Sequence, residues 1–221
     1  PDSPFSDREW DQVPIFEKQA ADNLALLDRL DLPVFVSTLG LLDDIPSAHW
    51  LPVVVDVDIW SGGRPPLERE TPIVAHAPSS GRIKGSDLID DALGRLEAEG
   101  LIDYQRISGV SADLMPDVYR NADIVLDQFR IGDYGVAACE AMAAGRIVIG
   151  HVAPAVRDAV LSRTGLELPI IESRGVEIET VLRRVLAEPE RARQMADHGA
   201  DFARSVHDGR RSAAARCCRW R

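Results

Sequence analysis

Residues 132–150, GDYGVAACEAMAAGRIVIG, decide the fold because a loop, a helix and a strand follow one another there. Gly132 and Gly135 stand in the loop, where the absence of a Cβ lets the backbone approach a ligand closely. Small apolar residues then form a helix that carries a single carboxylate, Glu140, and that ends at Gly145. We expect the amides of residues 133–136 to point outward at the start of this helix, where they favour an anion.

Strands and helices alternate along the chain around this stretch, from residue 72 onward. Strands are predicted at 72–78, 102–108, 123–129, 146–152 and 168–173, and helices at 86–100, 111–122, 153–163 and 176–207. Such alternation produces right-handed strand–helix–strand units and a parallel sheet that helices cover on both faces. The predicted fold class is α/β, with a Rossmann-like sheet flanked by helices.

The composition divides the chain into four segments. Residues 1–60 contribute a helix at 20–30 and one or two short strands, so we expect them to be the end of a preceding domain. Residues 61–71 are rich in Gly, Pro and charge and are predicted to be a linker. Residues 72–206 form the predicted Rossmann-like domain. Residues 207–221 are an atypical basic tail without an apolar helical period, and we expect this tail to be disordered.

Charge and cysteine content exclude several classes of protein. The formal net charge is −11, which argues against a nonspecific nucleic-acid surface. Six arginines and one acid follow residue 202, a local charge of +5, so the rest of the chain carries −16. Three cysteines, two of them adjacent, indicate a reducing, cytoplasmic setting. No apolar run reaches the ~18 residues of a membrane span, and the start at Pro1 favours a piece of a longer protein.

A second candidate loop, residues 76–87, HAPSSGRIKGSD, precedes the helix for which Ser86 is the predicted N-cap. Ser79, Arg82 and Lys84 lie in it, and cations beside a helix N-terminus attract a phosphate. A solvated basic turn explains the pattern equally well.

The other candidate groups have structural alternatives too. Glu140 is suited to accept hydrogen bonds from vicinal hydroxyls, although the helix also reads as a small-residue packing surface with a solvated acid. Tyr134 is interpreted as packing. His76 and His151 each end a strand, and a satisfied structural histidine is the favoured interpretation. No His, Cys and carboxylate spacing matches a metal site.

Four segments in order resemble the C-terminal half of GT-B glycosyltransferases of the family 4 type, also called glycosyl transferases group 1. LPVVVDVDIW (51–60) is similar to their P-N-x-V-D-x-x-x-F segment, and HAPSSGRIKGSDLIDDAL (76–93) to their G-R-x-x-x-x-K-G loop and helix. ISGVSADLMPDVYRNADIVL (107–126) is similar to G-x-V…L…Y-x-x-A-D, and residues 132–150 to E-G-F-G-x-x-x-x-E-A-M-A-x-G-x-P-V-I, the E-x7-E signature. The resemblance covers residues 34–206.

The resemblance implies roles for individual residues. Glu140 matches the signature acid that holds the ribose hydroxyls of a nucleotide-sugar, and Lys84 matches the lysine that contacts the donor diphosphate. With Arg82, these two form the implied catalytic set. The implied donor-binding set is Ser79, Gly109, Val110, Gly132, Asp133, Tyr134, Gly135, Val136 and Glu140.

Three positions depart from the family pattern. Gly132, with Asp133 beside it, replaces the first signature acid, which touches the transferred sugar. Ser79 stands at the family's arginine position, and Arg82 is the neighbouring candidate for that charge. Val53 replaces the Asn of P-N-x-V-D.

The implied function is retaining transfer of a sugar from a nucleotide-sugar donor to an unknown acceptor, without a metal or cofactor, and with no nucleic-acid partner. Fixed positive groups stabilise the leaving diphosphate in this scheme. The chain alone is expected to be weakly active or inactive, and the family is compatible with peripheral membrane association through the remainder of the acceptor domain. The alternatives are a nucleotide-sugar 2-epimerase, which shares the architecture, and a noncatalytic nucleotide-binding or interaction module.

Overall fold

A computed structural model describes residues 13–30 and 32–217 of the chain. Two short strands, β1 (Phe35–Val36) and β2 (His49–Trp50), form a parallel pair near the beginning. The main sheet follows, and its five strands are β3 (Ile73–His76), β4 (Asp103–Arg106), β5 (Ile124–Leu126), β6 (Ile147–Gly150) and β7 (Ile171–Glu172).

Helices precede and connect these strands. They are α1 (Val13–Leu30), α2 (Leu41–Asp44), α3 (Val57–Trp60), α4 (Gly81–Lys84), α5 (Asp90–Ala98), α6 (Met115–Asn121), α7 (Val136–Ala143), α8 (Pro154–Thr164), α9 (Ile178–Ala187), α10 (Pro189–Phe202) and α11 (Arg210–Cys217). A π-helical turn, Ala203–His207, continues α10. None of the helices among the described residues is both long and apolar enough to cross a membrane.

The main sheet is parallel throughout, with the strand order β4-β3-β5-β6-β7. The chain leaves β3 toward β4 on one side and leaves β5 toward β6 on the other. The carboxyl ends of β3 and β5 therefore flank the point at which the strand order reverses. Open α/β sheets bind ligands at this place, because the two diverging loops leave a crevice there.

Both faces of the sheet are buried, as a parallel sheet requires. Ile124 and Leu126 of β5 pack into the core on one face, and Val125 packs into the core on the other. Gly199 of α10 allows close contact with α7, since a Cβ there would lie 3.3 Å from Met142 Cγ. The predicted α/β fold is confirmed.

The segment before the sheet is bound to the end of the chain. Residues 51–56 have no regular secondary structure, and Asp56 caps α3 by accepting hydrogen bonds from the amides of Asp58 and Ile59. The amide of Val55 donates to His207 O at 2.8 Å, so this segment contacts the turn after α10.

The expectation of a disordered tail is wrong for residues 207–217. They include α11, which packs on residues 52–54: the buried Ser212 hydroxyl donates to Pro52 O at 2.7 Å. Buried His207 also hydrogen-bonds through Nδ1 to Val53 O at 2.8 Å. These partners are more than 150 residues away in sequence, so the tail's composition alone does not reveal them. Residues 218–221 lie outside the described residues.

Candidate active site

The two loops singled out in the sequence meet at the carboxyl edge of the sheet. The loop after β3 leads into α4, and the loop after β5 leads into α7. The amide of Phe129 donates to Lys84 O at 2.9 Å, which fixes the first loop against the second. The two loops that lead to Lys84 on α4 and to Glu140 on α7 thus meet at the edge of the sheet that the strand order predicts for ligand binding.

Gly135 forms the entrance of α7, defined here as Gly135 and the first turn of the helix. Its backbone is extended (φ −118°, ψ −167°), and its amide and those of the first turn begin the helix. A Cβ at Gly135 would lie 3.7 Å from Lys84 Nζ. The lysine ammonium therefore lies near Gly135, at the positive end of the helix dipole.

A buried carboxylate, Asp127, binds both of these groups. Its Oδ1 lies 2.6 Å from Lys84 Nζ, and its Oδ2 accepts a 3.3 Å hydrogen bond from the amide of Gly135. The side chain of Asp127 is 2% exposed and that of Lys84 is 16% exposed. The sequence prediction includes Asp127 in the strand at 123–129 and gives it no role in the site. The signal for such a role is the polar Asp-Gln pair at the end of an apolar strand.

Gln128, also missed, fixes the loop between β5 and α7. Its Nε2 donates to Asp133 O and, at 2.8 Å, to His151 O, while its Oε1 accepts from the amide of Ile131 at 2.7 Å. One buried amide side chain thus binds three points of the backbone. The loop has a defined shape because of these bonds.

Asp133 does not face the crevice with a free carboxylate. Its Oδ2 accepts from the amide of Gly40 at 2.8 Å, and its Oδ1 accepts from the amide of Tyr134 at 2.8 Å. Burial raises the pKa of Asp133, and the two backbone hydrogen bonds oppose that rise. Tyr134 is buried in the core, with its ring edge-on to that of His207, which agrees with a packing role.

Glu140 lies five residues beyond Gly135 on α7 and is partly buried. Burial raises the pKa of Glu140 to about 7. Its carboxylate makes no hydrogen bond or ion pair with any residue in 13–30 or 32–217. Burial raises the pKa of Tyr119 on α6, and the negative charge of Glu140 raises it further. A partly dehydrated carboxylate without a protein partner is suited to accept hydrogen bonds from ligand hydroxyls.

The remaining predicted residues differ in exposure. Ser79 is exposed in the loop after β3, and Arg82 is exposed on α4. Gly109 (φ +70°) and Val110, which is 38% exposed, follow β4. Gly132 is buried with φ +70°, a backbone conformation that favours glycine.

The two strand-end histidines are satisfied, as interpreted. Buried His76 bonds through Nδ1 to Leu126 O and through Nε2 to the Ser86 hydroxyl, and burial lowers the pKa of His76. The prediction that Ser86 is the N-cap is wrong, because α5 begins at Asp90 and its N-cap position is Ile89. His151 Nδ1 lies 2.7 Å from Glu172 Oε1. The described part of the chain contains no group of three or more His, Cys, Asp or Glu arranged for a metal ion.

Neither a family model nor a curated protein matches this sequence. Solved structures do match its fold. Anabaena HepE in complex with UDP and glucose superposes with a TM-score of 0.69 at 12% identity, over 96% of this chain and 68% of that protein. Sucrose-phosphate synthase from Thermosynechococcus elongatus matches with a TM-score of 0.61 at 17% identity, over 84% of this chain and 56% of that protein.

A glycosyltransferase from Rickettsia africae also matches, with a TM-score of 0.59 at 11% identity, over 84% of this chain and 62% of that protein. These neighbours are GT-B glycosyltransferases, and the chain has the Rossmann-like fold of that class. The chain spans between about half and two thirds of the length of these neighbours.

Proposed function

We propose that the chain is the donor-binding part of a retaining glycosyltransferase of the family 4 type, acting on a nucleotide-sugar. The observation that carries the proposal is the placement of Lys84 over the bare entrance of α7, with the unpartnered Glu140 further along the same helix. The GT-B fold supports it. HepE was solved in complexes with UDP and with UDP-glucose, which makes a uridine nucleotide the first donor to test.

The donor fits the site in one direction. Its diphosphate lies against the amides at the α7 entrance and the ammonium of Lys84, which are the hydrogen-bond donors there. Glu140 lies about 7 Å further along the helix axis, at ~1.5 Å per residue. Two ribose hydroxyls can donate to its carboxylate from there. We propose that Gly109 and Val110, which follow β4, contact the base.

The proposed chemistry is charge stabilisation at the leaving group. Bond cleavage leaves negative charge on the diphosphate, and positive groups that already lie beside it lower the barrier. Lys84 and the helix amides supply this charge stabilisation, and Arg82 on α4 is the candidate for a further cation. We propose that no metal or cofactor is needed, that the acceptor is bound by parts of the protein beyond this chain, and that the reaction takes place in the cytoplasm.

Titration calorimetry with UDP, GDP and ADP tests the donor site. We expect one nucleotide to bind, and Lys84→Gln to weaken it by ~10-fold or more, because a hydrogen bond to a charged group contributes ~1.5–3 kcal/mol. Lys18→Gln is the matched control, since the chain's other lysine lies on α1 and pairs with Asp22. Glu140→Gln should weaken binding as well, through the ribose.

The outcomes separate the alternatives. No heat with any of the three nucleotides, and no effect of Glu140→Gln, would favour a noncatalytic module. Incubating the full-length gene product with a labelled donor distinguishes transfer from 2-epimerisation, because epimerisation changes the sugar of the donor and needs no acceptor.

A further inference from the structure

We infer that Asp127 sets the charge that the α7 entrance accepts, so that the extra charge of a free nucleoside diphosphate gives it little advantage there over a nucleotide-sugar. The inference rests on the proposed function, because it assigns a selectivity to the same site. It begins from the finding that the groups expected to bind phosphate are already bound to a carboxylate. Asp127 Oδ1 accepts a hydrogen bond from Lys84 Nζ at 2.6 Å, and Asp127 Oδ2 accepts one from the amide of Gly135 at 3.3 Å.

Asp127 is held in place more firmly than its partner lysine. Its backbone amide donates to Ile149 O at 3.0 Å, and its Cβ lies 3.6 Å from the position of a Cβ at Gly150, against the neighbouring strand. Lys84 has a long side chain at the end of the four-residue helix α4, followed by Gly85 with φ +75°. A ligand therefore meets a fixed carboxylate and an adaptable ammonium.

An incoming phosphate shares Lys84 with Asp127. A lysine ammonium has three donors, so one remains on Asp127 while the other two turn to the phosphate. The positive charge of Lys84 is then balanced by Asp127, and the helix end contributes only roughly half a charge. The entrance is then only weakly positive, so a second negative charge on the phosphate gains little attraction there.

The two ligand classes differ in this charge. Both phosphoryl groups of a nucleotide-sugar are esterified, so each carries one negative charge. The terminal phosphoryl of a nucleoside diphosphate has a second ionisation with a pKa of about 6 and carries nearly two at pH 7. Repulsion from Asp127 therefore weakens the binding of the nucleoside diphosphate more than the binding of the nucleotide-sugar. In a transferase this bias accelerates release of the product after the sugar has left.

The test compares Asp127→Asn with the wild type by calorimetry, using UDP, UDP-glucose and inorganic pyrophosphate. We expect Asp127→Asn to bind UDP and pyrophosphate ~10-fold more tightly, and UDP-glucose only ~2–3-fold more tightly, since the repulsion scales with ligand charge. The control is Asp87→Asn, which removes the same charge from a 58% exposed carboxylate on the neighbouring loop that pairs with Arg130. It should leave all three affinities within about twofold.

The results separate this inference from the proposed function. If no nucleotide binds but pyrophosphate still binds Asp127→Asn more tightly, the proposed function fails and the role of Asp127 stands. Weaker or unchanged pyrophosphate and UDP binding, equal gains for UDP and UDP-glucose, or an equal effect of Asp87→Asn would overturn the inference. Melting curves check that Asp127→Asn is folded, and Asp127→Ser is the second variant should the asparagine disturb the strand end.

Discussion

The amide of Gly40 donates a hydrogen bond to Asp133 Oδ2 at 2.8 Å, and it joins residues 93 positions apart. The contact holds the segment before the sheet against the loop that leads into α7. Leu39, beside Gly40, is buried in the same core as α7. The geometry of the loop between β5 and α7 thus depends on the segment that precedes the Rossmann-like domain.

Gly40→Ala tests this dependence. Gly40 has φ −58°, so alanine causes no backbone strain, but its Cβ would lie 3.0 Å from Asp133 Oδ2. We expect the free energy of unfolding to fall by ~1 kcal/mol, the typical value of one hydrogen bond. Gly94→Ala, in α5 with open space around it, should instead raise stability by ~0.5–1 kcal/mol. Urea denaturation measures both, and equal effects would contradict the assigned contact.

Glu140 makes the free energy of unfolding depend on pH, with a definite sign. Burial raises its pKa from the ordinary value of 4.5 to about 7. The pKa of this carboxyl is higher in the folded state than in the unfolded state. Its contribution to the free energy of unfolding is therefore fully present below the unfolded-state pKa and is lost as the pH rises through the folded-state pKa. Glu140→Gln removes this loss, so its stability relative to the wild type should increase between pH 4.5 and 7 and then level off. A difference that stays flat across this range would mean that Glu140 is fully hydrated.

Gly135→Ala should separate binding from folding. The extended backbone at residue 135 accepts alanine, and the new Cβ would lie 3.7 Å from Lys84 Nζ, an ordinary contact. Stability should change by less than about 0.5 kcal/mol. The methyl group occupies the space that a phosphate needs, however, so nucleotide affinity should fall by roughly 10-fold or more. Unchanged affinity would remove the α7 entrance from the binding site.

Ser212→Ala tests the order of the basic tail. The buried hydroxyl donates to Pro52 O at 2.7 Å, and its loss leaves that carbonyl without this partner. We expect a loss of ~1 kcal/mol in the free energy of unfolding. Ser205→Ala, at an exposed serine in the π-helical turn, is the control and should be neutral. Equal stability of the two variants would show that the contact of α11 with residues 52–54 is not formed in solution.

The sequence predicts the sheet better than it predicts the site. Strict alternation after residue 72 gives the order of elements, because apolar runs of strand and helix length differ in period. Asp127 and Gln128 are read as part of a strand, since a local pattern does not show that a buried carboxylate will meet Lys84, which is 43 residues away. The prediction of a disordered tail is wrong for the same reason, because Pro52 and Val53 order residues 207–217 through long-range contacts.

The central claim is that a nucleotide's diphosphate lies between Lys84 and the α7 entrance, and lysine NMR tests it directly. The chain has only two lysines, so reductive ¹³C-methylation gives one signal for each in addition to the amino terminus. Titration with UDP should shift the Lys84 signal and leave that of Lys18, which is 78% exposed on α1, unchanged. UDP binding confirmed by calorimetry with no shift of the Lys84 signal would contradict the claim.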